Sequence, residues 1–191
     1  MKLPVFSLVL IFTLSGLSLY AQSNNKSSKI GRIAMDPNKS IVQNTEDSDN
    51  HKVLLAAINA TDLTEILDKD GPFTVFAPSD LAFDKLTPLE LADLLKPENK
   101  MKLRSLLTYH IVAGNITASK LLKAMSRGKG TTTLTTVQGN KITATMSGID
   151  IVLTDSFGNS ARITTADANQ CNGVIHVIDS VILPQKNSIS L

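Results

Sequence analysis

Cysteine and aromatic residues are scarce in this sequence of 191 residues, which contains one Cys, no Trp and two Tyr. A single cysteine excludes an intramolecular disulfide scaffold and any zinc or redox site built on a Cys-x-x-Cys motif. The scarcity of aromatic rings leaves few platforms on which bases or sugars could stack. The length of the chain predicts one domain.

Net charge is also small, with 19 Lys and Arg against 17 Asp and Glu. Removal of the N-terminal segment described next takes away Lys2 and no acid, which leaves 18 basic and 17 acidic residues, a net charge of +1. Because a chain this close to neutral has no overall field to attract polyanions, neither nucleic acid nor an anionic membrane is expected as the partner.

Residues 1–21 have the pattern of an export signal. Lys2 precedes an apolar run over residues 5–14 that is too short to span a bilayer, and the segment ends at Ala21. We therefore predict cleavage after Ala21 and a secreted protein, extracellular or periplasmic, that associates with the cell surface without membrane insertion. Residues 22–34 are predicted to be a flexible leader, residues 35–184 the folded domain and residues 185–191 a C-terminal tail.

Apolar residues recur at helical spacing from residue 52 to about Gly128. The short helices predicted from this spacing and from capping residues cover residues 52–58, 63–67, 87–95 and 97–108, with a further one after Thr117. The side chains predicted to face the core from the last two helices are Met101, Leu103, Leu106, Leu107, Leu121 and Leu122. Between helices, β-rich runs predict short strands over residues 73–77 and 109–112.

From Thr131 onward the apolar period changes to two, which predicts antiparallel strands separated by turn pairs such as Gly139-Asn140 and Gly158-Asn159. In one of these strands Ile149, Ile151 and Leu153 are predicted to share the buried face. Residues 174–183 are apolar on both faces and predict a central strand. Helices followed by a strand meander indicate the α+β class.

The histidine, serine and acidic side chains do not occur at the spacings that metal-binding or catalytic motifs require. His51, His110 and His176 are isolated from one another and from any His-Glu-x-x-His motif, so no metal and no cofactor is expected. The sequence contains no Gly-x-Ser-x-Gly motif, and Asp80 with Asp84 fits a capped helix better than a catalytic carboxylate pair. We therefore predict that the protein is not an enzyme.

Three blocks of sequence together resemble one family. In chain order they are Gly71-Pro72-Phe73-Thr74-Val75-Phe76-Ala77-Pro78-Ser79-Asp80, Leu107-Thr108-Tyr109-His110-Ile111-Val112 and Asn172-Gly173-Val174-Ile175-His176-Val177-Ile178-Asp179. Their order and spacing are similar to those of fasciclin I-like (FAS1) domains, and in particular the chain resembles single-domain secreted bacterial members. The resemblance covers residues 35–184.

This resemblance implies a wedge-shaped β-sandwich of two sheets with short helices packed along it. It also implies a non-enzymatic module for cell adhesion, whose partner is a cell-surface or matrix protein or a glycan. The adhesion features proposed for the family correspond here to Tyr109 and His110 and to Asp167, although Ala168 stands where the family has isoleucine. The alternative for Tyr109-His110 is a core role on a short strand, since a buried imidazole usually satisfies a backbone group.

Two further alternatives stay open at this point. Some relatives in the family bind pigments, so the alternative function is that of an extracellular carrier of a small apolar ligand. Cys171 precedes the third block, and in an oxidising compartment it could link two chains, although a monomer with a free thiol is the expectation.

Overall fold

The computed structural model describes residues 35–184, and the predicted signal, leader and tail lie outside these residues. The α-helices within this range are α1 (Ile41–Glu46), α2 (Lys52–Ala60), α3 (Thr64–Lys69), α4 (Asp80–Phe83), α5 (Pro88–Leu94), α6 (Lys100–Tyr109) and α7 (Ala118–Arg127), with a 3₁₀ turn at Pro97–Asn99. The strands are β1 (Phe73–Pro78), β2 (Ile111–Ala113), β3 (Thr131–Thr135), β4 (Lys141–Ser147), β5 (Asp150–Thr154), β6 (Ser160–Gln170) and β7 (Gly173–Ile178). None of the helices in the described range is long and apolar enough to cross a membrane.

The strands follow the order β2-β1-β7-β6-β5-β4-β3 and form two sheets that share β6. Residues 160–162 of β6 pair with β5, whereas residues 163–170 pair with β7 and contain two shifts of register. Such irregularities bend a strand, which lets β6 pass from one sheet into the other. An isolated bridge between Val112 and Thr136 joins β2 to the residue after β3, so the sheet nearly closes on itself. The predicted α+β class with two sheets and short helices is confirmed.

The parallel pair β1–β7 lies at the centre of the fold and divides two groups of buried side chains. Because side chains alternate along a strand, Val75 and Ile175 face the group formed with α1, α2, α3 and α6, here called the helical core. Phe76 and Ile178 face the other group, formed with α7 and β3–β6 and here called the meander core. Every residue of β7 is buried, which confirms a central strand, but the strand ends at Ile178 and the prediction that it continues to residue 183 is wrong.

Two helix starts, those of α5 and α7, follow the capping residues read from the sequence. The Thr87 hydroxyl accepts a hydrogen bond from the Glu90 N–H, while the Glu90 carboxylate accepts one from the Thr87 N–H at 2.8 Å. The Thr117 hydroxyl caps α7 by accepting a hydrogen bond from the Lys120 N–H. These caps satisfy N–H groups that have no partner inside the helix, so these two helices begin where their caps stand. The N-cap residues of α2, α3 and α6 make no such side-chain bond.

The strand predicted over residues 109–112 is wrong at its start. Tyr109 is the last residue of α6 and His110 is its C-cap, so β2 begins only at Ile111. The helix continues this far because the His110 N–H still donates to the Leu107 carbonyl at 3.0 Å. The side chains of Tyr109 and His110 therefore do not alternate between two faces, and both are buried.

Three residues predicted to face the core are exposed instead, namely Met101 at 70%, Leu122 at 44% and Ile149 at 95%. Met101 lies in the first turn of α6, and Leu122 flanks the buried side of α7. Ile149 lies in the two-residue turn between β4 and β5, because β5 begins one residue later. The prediction for Ile149 is wrong since apolar period alone does not locate the boundary of an element. Those for Met101 and Leu122 are wrong because both side chains lie within their helices but outside the buried face.

Candidate functional site

His110 lies under the end of α6 and bonds backbone on both sides of its ring. Its Nδ1 donates to the Leu106 carbonyl at 2.8 Å, and its Nε2 accepts from the Ile182 N–H at 3.3 Å. This pairing requires the neutral imidazole with the proton on Nδ1. Burial lowers the pKa of His110 to about 4, because the imidazolium would lose its hydration. The alternative of a buried, hydrogen-bonded His110 is confirmed, although the residue caps a helix and does not lie on a strand.

Tyr109 packs edge to face against His110, with the ring centroids 6.3 Å apart. The side chain belongs to the meander core, and its hydroxyl donates to the Lys141 carbonyl at 2.9 Å. Burial raises the pKa of Tyr109 to about 12, so the phenol stays protonated and keeps its role as a donor. Tyr109 thus fastens the end of α6 to the start of β4.

Asp155 is a further anchor in this region, and our sequence analysis missed it. Its carboxylate accepts hydrogen bonds from the backbone N–H groups of Phe157, Asn159 and Leu183, each at 2.8 to 2.9 Å. The bond to Leu183 holds the segment that also supplies the Ile182 N–H to His110. A local signal for part of this role was present, since Asp155 precedes the turn pair Gly158-Asn159, and an Asp at the start of a turn commonly accepts from backbone N–H groups a few residues further on.

Asp167 lies in the irregular part of β6 with a φ of 58°, in the left-handed region. Its carboxylate accepts from the N–H of Ala118, the first residue of α7, at 2.7 Å. Its own N–H donates to Nδ1 of His176 at 3.2 Å, and Nε2 of His176 donates to the Ile116 carbonyl at 2.8 Å. Burial lowers the pKa of His176, which keeps the imidazole neutral for this pairing. Asp167 and His176 together hold the start of α7 against the sheet.

The predicted site residues therefore form two separate arrangements. Tyr109 and His110 contact each other beneath the surface, and neither side chain offers exposed area to a partner. Asp167 is half-buried and bonds groups on α7 and β7. It lines a shallow pocket of about 320 Å³ whose other lining residues are Met35, Pro37, Thr165, Ala166, Ala168 and Asn169. A binding role for the three residues stays a prediction.

Asp80 fits a capped helix by sequence, but the helix that its carboxylate caps is α2, which lies earlier in the chain. Its carboxylate accepts from the N–H groups of Lys52 at 3.2 Å and Val53 at 2.9 Å. Its own N–H donates to the Asn50 carbonyl at 2.8 Å. The cap on α4 comes from Ser79, whose hydroxyl accepts from the Ala82 N–H. The first sequence block therefore fastens α2 to the central strands.

Within residues 35–184, no three His, Cys, Asp or Glu side chains lie close enough together to hold a metal ion. The third histidine, His51, bonds the Ser48 hydroxyl through Nδ1 at 2.8 Å, and burial lowers its pKa. Cys171 is exposed and carries a free thiol. The fold and these contacts define a small α+β domain. Its buried histidines and Tyr109 form hydrogen bonds with other groups of the same chain.

The sequence model of the fasciclin domain matches residues 49–184, and the chain therefore belongs to the fasciclin domain family. It is 38% identical over 167 residues to Protein sll1483 of Synechocystis sp., an alignment that covers 85% of this chain and 83% of that protein. It is 33% identical over 114 residues to the cell surface glycolipoprotein MPB83 of Mycobacterium bovis, covering 60% of this chain and 44% of that protein.

Among solved structures, the fold is similar to a FAS1 domain pair from the insect cell adhesion molecule Fasciclin I. The TM-score is 0.68 at 20% sequence identity, and the match covers 81% of this chain and 53% of the other. The resemblance read from the three sequence blocks is confirmed. The three blocks contain β1, β2 and β7, which are adjacent strands of one sheet.

Proposed function

We propose that this protein acts outside the cell as a non-enzymatic fasciclin module that binds a protein or glycan of a cell surface or matrix. The observation that carries the proposal is the family match over residues 49–184. Two similar proteins support it by name, one a cell surface glycolipoprotein and the other a cell adhesion molecule. The rings of His110 and His176 bond backbone groups through both nitrogens, so neither ring is free to act as a catalytic acid or base.

In this proposal, the three predicted site residues act from below the binding surface. Tyr109 and His110 fix the end of α6 and the segment that follows β7, while Asp167 fixes the start of α7. A partner contacts the outer surface that these side chains support. The protein works as a monomer, and exposed Cys171 can form a disulfide between two chains only under oxidising conditions.

Attachment of labelled, purified protein to cells of the producing organism tests the proposal. We expect saturable binding that unlabelled protein displaces and that protease or glycosidase treatment of the cells abolishes. The same preparation on a non-reducing gel reports whether Cys171 links chains, with Cys171→Ser as the control. Absence of saturable binding to cells and to their extracellular matrix would contradict the proposal.

An apolar groove favours a second candidate, the carrier of a small apolar ligand. The groove has a volume of about 480 Å³, in the range of ligand pockets, and Leu86, Leu89, Leu94 and Leu183 form its apolar lining. Native mass spectrometry of protein purified from the producing organism separates the two candidates. A carrier is expected to arrive with a bound mass that Leu89→Asp removes, whereas an adhesion module arrives at the mass of its polypeptide.

A further inference from the structure

The near-neutral net charge conceals an uneven distribution along the chain. Thirteen of the seventeen acidic residues lie between positions 36 and 98, and the other four lie between positions 150 and 179. Residues 99–149 contain eight basic residues and no acidic one. The local field around this stretch is therefore positive even though the charges of the whole chain nearly cancel.

Among the described residues, the basic ones outside residues 99–149 form salt bridges, whereas most of those inside this stretch do not. In the described part of the chain, the basic residues outside residues 99–149 all contact a carboxylate, and so do Lys100 and Lys102. The basic residues of residues 35–184 without such a contact are Arg104, Lys120, Lys123, Arg127, Lys129 and Lys141. Arg104 is half-buried and bonds the Thr61 carbonyl at 2.6 Å, whereas the other five are exposed. Four of the remaining five belong to α7 and the loop after it.

These four residues, here called the cation row, point away from the domain. Lys120, Lys123 and Arg127 lie on one side of α7 because positions three and four apart share a helix face. The opposite side buries Leu121 and Met125 in the meander core. The row on the helix extends over about 10 Å, given the rise per residue of an α-helix. Lys129 follows in sequence, in the exposed loop before β3.

The row is presented by a rigidly held element. The first turn of α7 is capped by Thr117 and by the Asp167 carboxylate, and its buried side packs on β3 and β4. Lys120 Nζ also bonds the Asn115 carbonyl at 2.5 Å, which orients its ammonium group at the start of the row. A fixed row of charges loses less conformational entropy on binding than the same charges on a mobile segment.

We propose that the cation row binds an acidic polysaccharide, a linear polymer with carboxylate or sulfate groups along its length. The inference rests on the proposed surface-binding function and names the class of its partner. Successive acidic groups contact Lys120, Lys123 and Arg127, while the exposed hydroxyls of Ser119 and Ser126 on the same helix are available to sugar hydroxyls. Exposed ion pairs are individually weak, so a row of them on one polymer is needed for useful affinity.

Two other polyanions fit the surface less well. A helix that inserts into a membrane surface must expose its apolar side to the lipid. In α7, Leu121 and Met125 are buried in the core and only Leu122 is half-exposed. Single-stranded nucleic acid is bound largely by stacking on aromatic side chains, and the cation row contains none. An acidic polysaccharide requires neither insertion nor stacking.

The test measures binding of the full-length purified protein to immobilised polygalacturonate and dextran sulfate, with neutral dextran as the blank. We expect affinity that falls steeply as salt is added. The variant Lys120→Gln/Lys123→Gln/Arg127→Gln is expected to bind about tenfold more weakly. A matched control, Lys52→Gln/Lys69→Gln/Lys96→Gln, removes the same charge from exposed, paired lysines and is expected to stay within about twofold of wild type. Thermal melting of both variants checks that the fold is retained.

Three outcomes would overturn the inference. Equal weakening in both triple variants would mean that net charge alone matters. Binding to vesicles of anionic phospholipid without binding to either polysaccharide would mean that the partner is a membrane. No binding of the wild type to either acidic polysaccharide would remove the partner class while leaving the proposed function intact if the same protein still attaches saturably to cells. Loss of both polysaccharide binding and cell attachment in the α7 variant alone would support the inference and the function together.

Discussion

The two sides of the central β1–β7 pair are held together by different means. On the helical side, single polar side chains join segments far apart in sequence. Asn172 is an example, since its amide bonds the Ile41 N–H and the carbonyls of Leu67 and Asp70. On the meander side, β3 to β6 pair as consecutive antiparallel strands whose backbone hydrogen bonds are many and local.

This difference follows from the length of the elements. The helices on the helical side have at most ten residues, and helices this short are marginal by themselves because their nucleation is costly. Each one therefore depends on a few outside contacts, whereas a strand ladder distributes its stability over many bonds. Loss of one anchoring side chain should thus cost more on the helical side and at the junction than within the ladder.

The largest effect is expected at the junction of the two sides, where His110 lies. The change His110→Ala leaves a cavity, an unpaired Leu106 carbonyl and an unpaired Ile182 N–H, and it should lower the free energy of unfolding by about 2 to 4 kcal/mol. Denaturant unfolding measures this loss, and Met101→Ala on the exposed side of the same helix is the control. A variant as stable as wild type that no longer attaches to cells would instead make His110 a direct contact.

Acidification should weaken the same junction. The pKa of His110 is about 4 in the folded protein against 6.5 for a free imidazole, so between these values the unfolded chain binds a proton that the folded chain does not. Stability is complete above pH 6.5 and falls as the pH drops towards 4, with about 2 kcal/mol lost by pH 5. The lowered pKa values of His51 and His176 act in the same direction. Unfolding midpoints across this range check the slope, which His110→Gln should reduce.

The stability losses of two variants, one on the helical side and one in the strand ladder, can be compared directly. The variant Asp80→Ala removes the acceptor of two N–H groups at the start of α2 and should cost about 2 kcal/mol, the upper end for a helix cap. In the ladder, Thr154→Ala removes an exposed side-chain contact with Ser160 and should cost less than about 0.5 kcal/mol. Equal losses in the two variants would contradict the proposed difference between the sides.

Among the anchoring side chains, the smallest effect is expected for Tyr109, whose hydroxyl joins α6 to β4. The change Tyr109→Phe keeps the buried ring and removes only the hydroxyl that donates to the Lys141 carbonyl, so the expected cost is about 1 kcal/mol. Tyr109→Leu also removes the ring contact with His110 and should be more destabilising. If Tyr109→Phe proved neutral, water would be replacing the hydroxyl and the tie would contribute little.

Sequence reasoning succeeded where the determining partners are near in sequence. The Thr87 to Glu90 capping box spans four residues, and the strands from Thr131 onward follow from their alternation and turns. It failed at Tyr109-His110, because the β-rich composition of the segment is local whereas the helix extends to contacts with Lys141 and Ile182. The role of Asn172, and the bond of Asp155 to the Leu183 N–H, likewise depend on backbone groups that only the folded chain brings close.

The near-closure of the sheet also bears on association between copies. Unpaired outer strands offer backbone groups to another chain and are a common route to aggregation. Here the outer strands β2 and β3 turn towards each other, since Val112 bridges Thr136 and the Val137 N–H donates to the Ile111 carbonyl at 2.8 Å. These backbone groups are satisfied within one molecule, so this part of the sheet edge is closed to a second copy.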